Sequence, residues 1–202
     1  MTLFYPNGQP FQRSAEVKTS NNQQVTVNYG KRGMTLEEAL NVTNQYYIES
    51  DQAVIYKKPT PIQIVHVDYP KRSAARITEA YFRKASTTDY NGVFLGKYID
   101  FEAKETTHPN YIPLKNFHEH QVLHMARIKR HGGIGFIIVR FTPTDEIYLL
   151  DASYLENRWN EAIQKSGRKS LPKTLFQEKG YLVPQNYLPR IDYLRVIKDV
   201  YF

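Results

Sequence analysis

The 202-residue sequence contains no cysteine. Disulfides, Cys-ligated zinc and thiol nucleophiles are therefore excluded. No run approaches the roughly 18 apolar residues that a membrane-spanning helix needs. The opening residues, MTLFYPNGQPFQRS, lack the basic region, apolar run and small-residue cleavage site of a secretory signal. These absences lead to the expectation of a soluble, cytoplasmic protein with no membrane contact. With 41% hydrophobic residues, the chain is long enough for one ordinary domain with a real core, plus an arm or insertion.

Acidic residues are outnumbered, 20 against 27 basic, for a net charge of +7. Their distribution says more than the sum. Residues 1–33 carry +3, 34–55 carry −4, 56–84 carry +5, 85–106 carry −2, 107–131 carry +3 and 132–202 carry +2. Basic segments thus flank two acidic ones. A polyanion-binding surface around a carboxylate-bearing metal centre has this pattern, although a merely basic soluble protein has it as often.

Residues 1–31 read as a flexible basic arm, since no hydrophobic period persists and Lys18–Gln24 is polar throughout. Thr35 and Glu38 form a capping box for a helix running to about Ile48, with Leu36, Ala39, Leu40, Thr43 and Tyr47 along one face. Ala53–Tyr56 reads as a buried strand, broken by Pro59-Thr60-Pro61. Two strand-like segments, Ile62–Val67 and Ile77–Phe82, bracket the basic stretch Lys71-Arg72-Ser73-Ala74-Ala75-Arg76. They suggest a projecting β-hairpin, a stalk from about 59 to 80.

Asp89–Gly92 reads as a turn and Val93–Glu105 as a strand or hairpin pair. Asn116 and Glu119 open a second helix, closed by Gly132-Gly133. Ile134–Phe141 is continuously apolar, as a central strand covered on both faces is. Glu146–Leu150 is another strand. Ser153 and Glu156 form a capping box for a third helix, with Leu155, Trp159, Ala162 and Ile163 facing the core and Gly167 at its end. Residues 168–202 mix Pro, Tyr and basic residues without a clear period. The alternation predicts an α/β fold with a mixed central sheet flanked by helices.

The chemistry concentrates in Ser86–Gly92 and Ile99–Thr106. On a strand, side chains alternate, so Glu102 and Lys104 share a face while Phe101, Ala103 and Glu105 point the other way. Asp89 stands where a hairpin brings its carboxylate next to Glu102. Two adjacent carboxylates repel unless a cation joins them, and Mg²⁺ suits a few carboxylate oxygens plus waters. Such an ion polarises a phosphate oxygen and lowers the pKa of a bound water. Lys104 then stands where it can orient that water or neutralise charge in the transition state. A Glu-x-Lys on a strand alone is usually a solvated ion pair; the added Asp and the basic surroundings favour phosphodiester hydrolysis.

Gln121 falls on the core-facing stripe of the second helix. Its carbonyl can ligate a metal directly or through water, but spacing alone favours a backbone-bonded core amide. His120 and His124 are four apart, as zinc ligands can be. Without a His-Glu-x-x-His pattern, DNA-facing or packing roles are favoured. Glu37, in the first turn of the first helix, suits the helix dipole. Lys71, Arg72 and Arg76, clustered with Lys57 and Lys58, favour phosphate contacts modestly over simple solubility.

At these positions the sequence resembles the RecU family of Holliday junction resolvases. The resemblance rests on Arg32-Gly33-Met34-x-Leu36-Glu37, Tyr56-Lys57-Lys58-Pro59-Thr60-Pro61, Ser86–Gly92, Asp100–Thr106 and His120-Gln121, five blocks in order from about Arg32 onward. It implies a restriction-endonuclease-like nuclease domain over residues 32–202 with the stalk inserted. It implies a homodimer that nicks four-way junctions symmetrically with Mg²⁺ (Mn²⁺ substituting) and leaves 5′-phosphates. It further implies modulation of the RecA recombinase and a nucleoid-associated location. The resemblance assigns Thr87, Asp89, Glu102 and Gln121 to the metal, Glu37 as a further candidate, and Lys104 to transition-state stabilisation. Arg72 resembles a stalk residue linked to junction and recombinase contact, and Arg32 lies in a matching basic block. The Pro-Asp dipeptide common in this nuclease fold is here Thr88-Asp89, in keeping with the resolvase family. The rival reading is a non-catalytic DNA-binding and strand-annealing regulator of the recombinase, with Asp89 and Glu102 structural.

Overall fold

A computed structural model of the chain describes residues 34–83, 87–164 and 167–202, with the Arg72 side chain left undescribed. The expected arm (residues 1–31), Arg32, Ser86 and the Arg72 side chain lie outside the described residues. Helix α1 spans Leu36–Glu49 and opens on the expected capping box: Thr35 Oγ1 accepts from the Glu38 N–H, and Glu38 accepts from the Thr35 N–H. Its buried face is Leu36, Leu40, Thr43, Asn44 and Tyr47.

Strands β1 (Val54–Lys57), β4 (Tyr90–Phe94), β5 (Lys97–Thr106), β7 (Ile134–Phe141), β8 (Glu146–Asp151) and β10 (Tyr181–Leu182) form one sheet, ordered β1-β4-β5-β7-β8-β10. The pair β5–β7 is parallel and the other pairs are antiparallel, so the sheet is mixed. Its two faces carry two cores. On one face Ile99, Phe101, Ile134, Phe136, Ile138, Ile147 and Leu149 pack with α1 and α5 (Tyr193–Tyr201). On the other, Ile137, Val139, Phe141, Tyr148 and Leu150 pack with α2 (Glu119–Arg130) and α3 (Ala152–Gln164). As expected, β7 is covered on both faces.

Strands β2 (Ile62–Asp68) and β3 (Arg76–Phe82) pair antiparallel in a sheet of their own. Every residue of both strands is exposed, and a 3₁₀ turn over Arg72–Ala74 lies between them, so the segment expected as a stalk is a two-stranded hairpin. The remaining elements are a small pair, β6 (Tyr111–Pro113) with β9 (Ser170–Pro172), and α4 (Lys173–Lys179).

Four local expectations are corrected. Strand β1 is an edge, with only Ile55 of its four residues buried. Asp89–Gly92 is not the turn: β4 begins at Tyr90, and the chain reverses at Leu95-Gly96, both at positive φ between paired Phe94 and Lys97. That two-residue loop matches the twist of its strands. Gly92 serves close approach instead, since a Cβ there would meet the Val54 carbonyl oxygen at 2.1 Å. Helix α2 is capped at His118 rather than Asn116, with the His118 N–H donating to Gln121 Oε1 at 2.9 Å. Helix α3 starts at Ala152; the Asp151 carboxylate, not a Ser153 box, accepts from the Ser153 N–H at 2.9 Å, and Ile163 is exposed.

Candidate active site

Strand β5 crosses the middle of the sheet, and its alternation decides what each face receives. Ile99 and Phe101 enter the α1 side of the core. Asp100 and Glu102 go to the other side and are both fully buried. In register on β7, that side carries Gly135 opposite Asp100, Ile137 opposite Glu102 and Val139 opposite Lys104. A row of charge therefore lies beside a row of apolar or absent side chains.

The Glu102 carboxylate is held by three donors. Lys104 Nζ stands 2.5 Å from Oε1, Gln121 Nε2 donates to Oε1 at 2.7 Å, and the Asp89 N–H donates to Oε2 at 3.1 Å. The antiparallel pair Tyr90–Phe101 brings Asp89 level with Glu102, as the spacing anticipated, although through a different turn. Lys104 Nζ also lies 4.0 Å from Asp89 Oδ2. Burial first, and the Asp89 charge second, push the Glu102 carboxyl up to about 8 against the pull of Lys104. An ionised Glu102 is thus short of positive charge.

The other expected residues fall as follows. Thr87 lines a cleft of about 260 Å³ with Glu37, Lys57, Lys58 and Asp89. Glu37 also borders a second cleft, of about 400 Å³, with Asp89 and Lys104, but its carboxylate is paired with Lys57 at 2.5 Å. Among the described residues no three of His, Asp and Glu converge as a metal-binding group, so Glu37 is not gathered to Asp89 and Glu102. Gln121 reaches the site through its amide nitrogen, its carbonyl being engaged by the His118 N–H. Lys58 is not at the outer surface: its ammonium donates to Asp100 at 2.7 Å and Thr88 at 2.9 Å. Lys71 and Arg76 are exposed at the end of the stalk.

Sequence reasoning missed Asp100. It accepts from Lys58, Thr88 and Tyr98, and His124 Nε2 lies 3.2 Å away. The signal was available: Asp100 shares the parity of Glu102 and Lys104 on an otherwise core-forming strand. Helix α2 meets both acids, Gln121 on Glu102 and, one turn later, His124 on Asp100.

The donor set is hard oxygen on two carboxylates, one buried and one half-buried, with a single ammonium between them. This fits Mg²⁺, which takes one or two carboxylates and retains several waters. It does not fit a closed zinc site, which needs four protein ligands.

The model of the family described as Recombination protein U matches residues 31–199. The chain belongs to the RecU family. It is 57% identical over 202 residues to the Holliday junction resolvase RecU of Geobacillus thermodenitrificans, covering all of this chain and 99% of that one. It is 52% identical to the protein of the same name from Bacillus cereus (strain G9842), over the full length of both. Among solved structures, the Archaeoglobus fulgidus Holliday junction resolvase Hjc aligns with 66% of this chain and 87% of its own, at 9% identity and a TM-score of 0.38, a likeness too slight to build on.

Proposed function

We propose that this RecU-family chain resolves four-way DNA junctions by symmetric, Mg²⁺-dependent hydrolysis of phosphodiesters, with Mn²⁺ able to substitute. The observation that carries the reading is the Asp89–Glu102 pair with Lys104 beside it. Relatives identical at 52–57% over the whole chain bear the name Holliday junction resolvase, which supports the substrate. No described helix is long and apolar enough to cross a membrane, and the cytoplasm, at the nucleoid, is the proposed location.

Asp89 and Glu102 would hold the metal, with Thr87 and Glu37 as further candidates; Gln121 would join the set only by turning its carbonyl oxygen, which accepts from the His118 N–H, toward the ion. A bound divalent ion supplies Lewis-acid polarisation of the scissile phosphate and a lowered pKa for a water. Lys104 orients that water and offsets charge that grows on the phosphate oxygens. Without the metal, ionising Glu102 brings the two carboxylates and Lys104 to a sum of −1, which repels a phosphate; below about pH 8 Glu102 keeps its proton instead. Lys57, Lys71, Arg72, Arg76 and Arg32 contact backbone phosphates without reading bases. Lys57 and Lys58 are both paired with carboxylates, Glu37 and the buried Asp100, and the more exposed Lys57 is the freer of the two to exchange its partner for a phosphate.

A homodimer is the proposed assembly. A junction presents equivalent strands in pairs, and a two-fold dimer presents equivalent sites. Val54, Val93 and Tyr98, neighbours in register across β1, β4 and β5, leave an exposed apolar row suited to such a contact. The RecA recombinase is the proposed protein partner, on the family resemblance alone, and co-precipitation checks it.

The experiment is to incubate protein with a synthetic four-way junction and Mg²⁺, and to compare Asp89→Ala. Retained binding with abolished nicking supports the enzyme. Wild-type protein that binds but never nicks with any divalent ion supports the regulator instead.

A further inference from the structure

We infer that Asp100 is a positioning residue: through Lys58 and Thr88 it holds the segment bearing Thr87 and Asp89 against β5, and so sets where the Asp89 carboxylate stands beside Glu102. The inference rests on the reading of Asp89 and Glu102 as metal ligands.

A carboxylate 0% exposed on a central strand is costly unless it is fully partnered, and a well-packed apolar residue would serve stability as well. The neighbouring strand carries Gly135 at the equivalent place, with no charge to satisfy. Asp100 nevertheless gathers partners from four places: Lys58 just past β1, Thr88 before β4, Tyr98 on β5 and His124 on α2. A carboxylate only accepts, so His124 Nε2 carries the shared proton.

What these contacts surround is residue 89. Thr88, buried and bonded to Asp100, is its chain neighbour. Lys58 grips the same segment twice: its N–H donates to the Asp89 carbonyl at 2.8 Å, while its ammonium donates to Thr88 and Asp100. The Asp89 N–H is meanwhile tied to Glu102. The Asp89 backbone is thus fixed on both sides, and only its side chain, 39% exposed, faces solvent. Asp100 neutralises the lysine that makes this clamp. A metal site needs its ligands held in place before the ion arrives, and residues that orient ligands are typically worth about 10- to 100-fold in metal affinity.

The test is calorimetric titration of the full chain with Mn²⁺, without DNA, comparing wild type with Thr88→Val, Thr88→Ser, Asp100→Asn and Asp89→Ala. Thr88→Val is expected to weaken Mn²⁺ binding by about 10-fold or more, and Thr88→Ser to restore it. In parallel, the Mn²⁺ concentration for half-maximal nicking rises by the same factor in Thr88→Val. Its rate at saturating Mn²⁺ recovers, because Asp89, Glu102 and Lys104 are intact. A merely structural role would lower folding stability without that split. If Asp100→Asn fails to fold, Thr88→Val decides alone. Wild-type Mn²⁺ affinity in Thr88→Val, with affinity lost in Asp89→Ala, overturns the positioning role and leaves the metal reading standing. Wild-type protein that binds no Mn²⁺ overturns both.

Discussion

Strands β5 and β7 run parallel through the same sheet and face the same helix, yet they spend that face differently. On β7 it carries Gly135, Ile137 and Val139, which close the core against α2 and α3. On β5 it carries Asp100, Glu102 and Lys104, each acid answered by named donors. Burying Ile137 contributes stability without obligation. Burying Glu102 costs free energy that its three donors offset only in part, as its raised pKa shows, and a cation or a proton supplies the rest. The lesson is that a site can be recognised by where a fold forgoes apolar packing it could have had.

Replacing one row's chemistry should sharpen that contrast. Glu102→Gln is expected to lower junction nicking by 100-fold or more, on the order seen when a charge-stabilising group is removed. Junction affinity in metal-free buffer, read by gel shift, should persist. A variant that still nicks would assign the chemistry elsewhere. The counterpart, Ile137→Ala, should cost roughly 2–5 kcal/mol in denaturant unfolding while nicking per folded molecule stays at the wild-type rate.

The acid row also makes stability depend on pH. The folded-state pKa of Glu102, about 8, lies above its ordinary value of 4.5, so the folded chain holds that proton more tightly than the unfolded one. The resulting stability is fully present below 4.5 and is lost as pH rises through about 8. Melting of metal-free protein should therefore show a falling component across this window. Glu102→Gln should remove it, and Mg²⁺ should offset it at the alkaline end. The smallest expected effect lies far from both strands. Lys71→Ala or Arg76→Ala should weaken junction binding evenly across sequences and reduce the salt slope by about 1 each, leaving metal affinity unchanged.

Much of this arrangement is legible in the sequence. Period-two alternation placed Glu102 and Lys104 on one face, and the Thr35–Glu38 box fixed the start of α1. Pro59 and Pro61 mark the break between β1 and the β2–β3 hairpin, and the run Ile134–Phe141 marks a doubly covered strand. What failed was local turn chemistry. Asp-Tyr-Asn-Gly looks like a turn, but pairing with β1 and β5 made it a strand, and Leu95 took the positive φ that side chains resist. Parity on β5 flags Asp100 as a charge facing the core, but its role is not legible because two of its four partners, Lys58 and His124, come from 42 residues before it and 24 after. No local pattern encodes such a meeting. The C-terminal region resisted for a related reason: β9, α4 and β10 are short, and pairing with β6 and β8 settles them rather than any period of their own.

The most direct measurement is anomalous diffraction from crystals of the full chain soaked in Mn²⁺. The expected result is a peak within about 2.0–2.4 Å of carboxylate oxygens from both Asp89 and Glu102, with the Lys104 ammonium outside its coordination sphere. Full Mn²⁺ occupancy elsewhere, or none while soaked crystals stay ordered, would contradict a shared ion between these two acids.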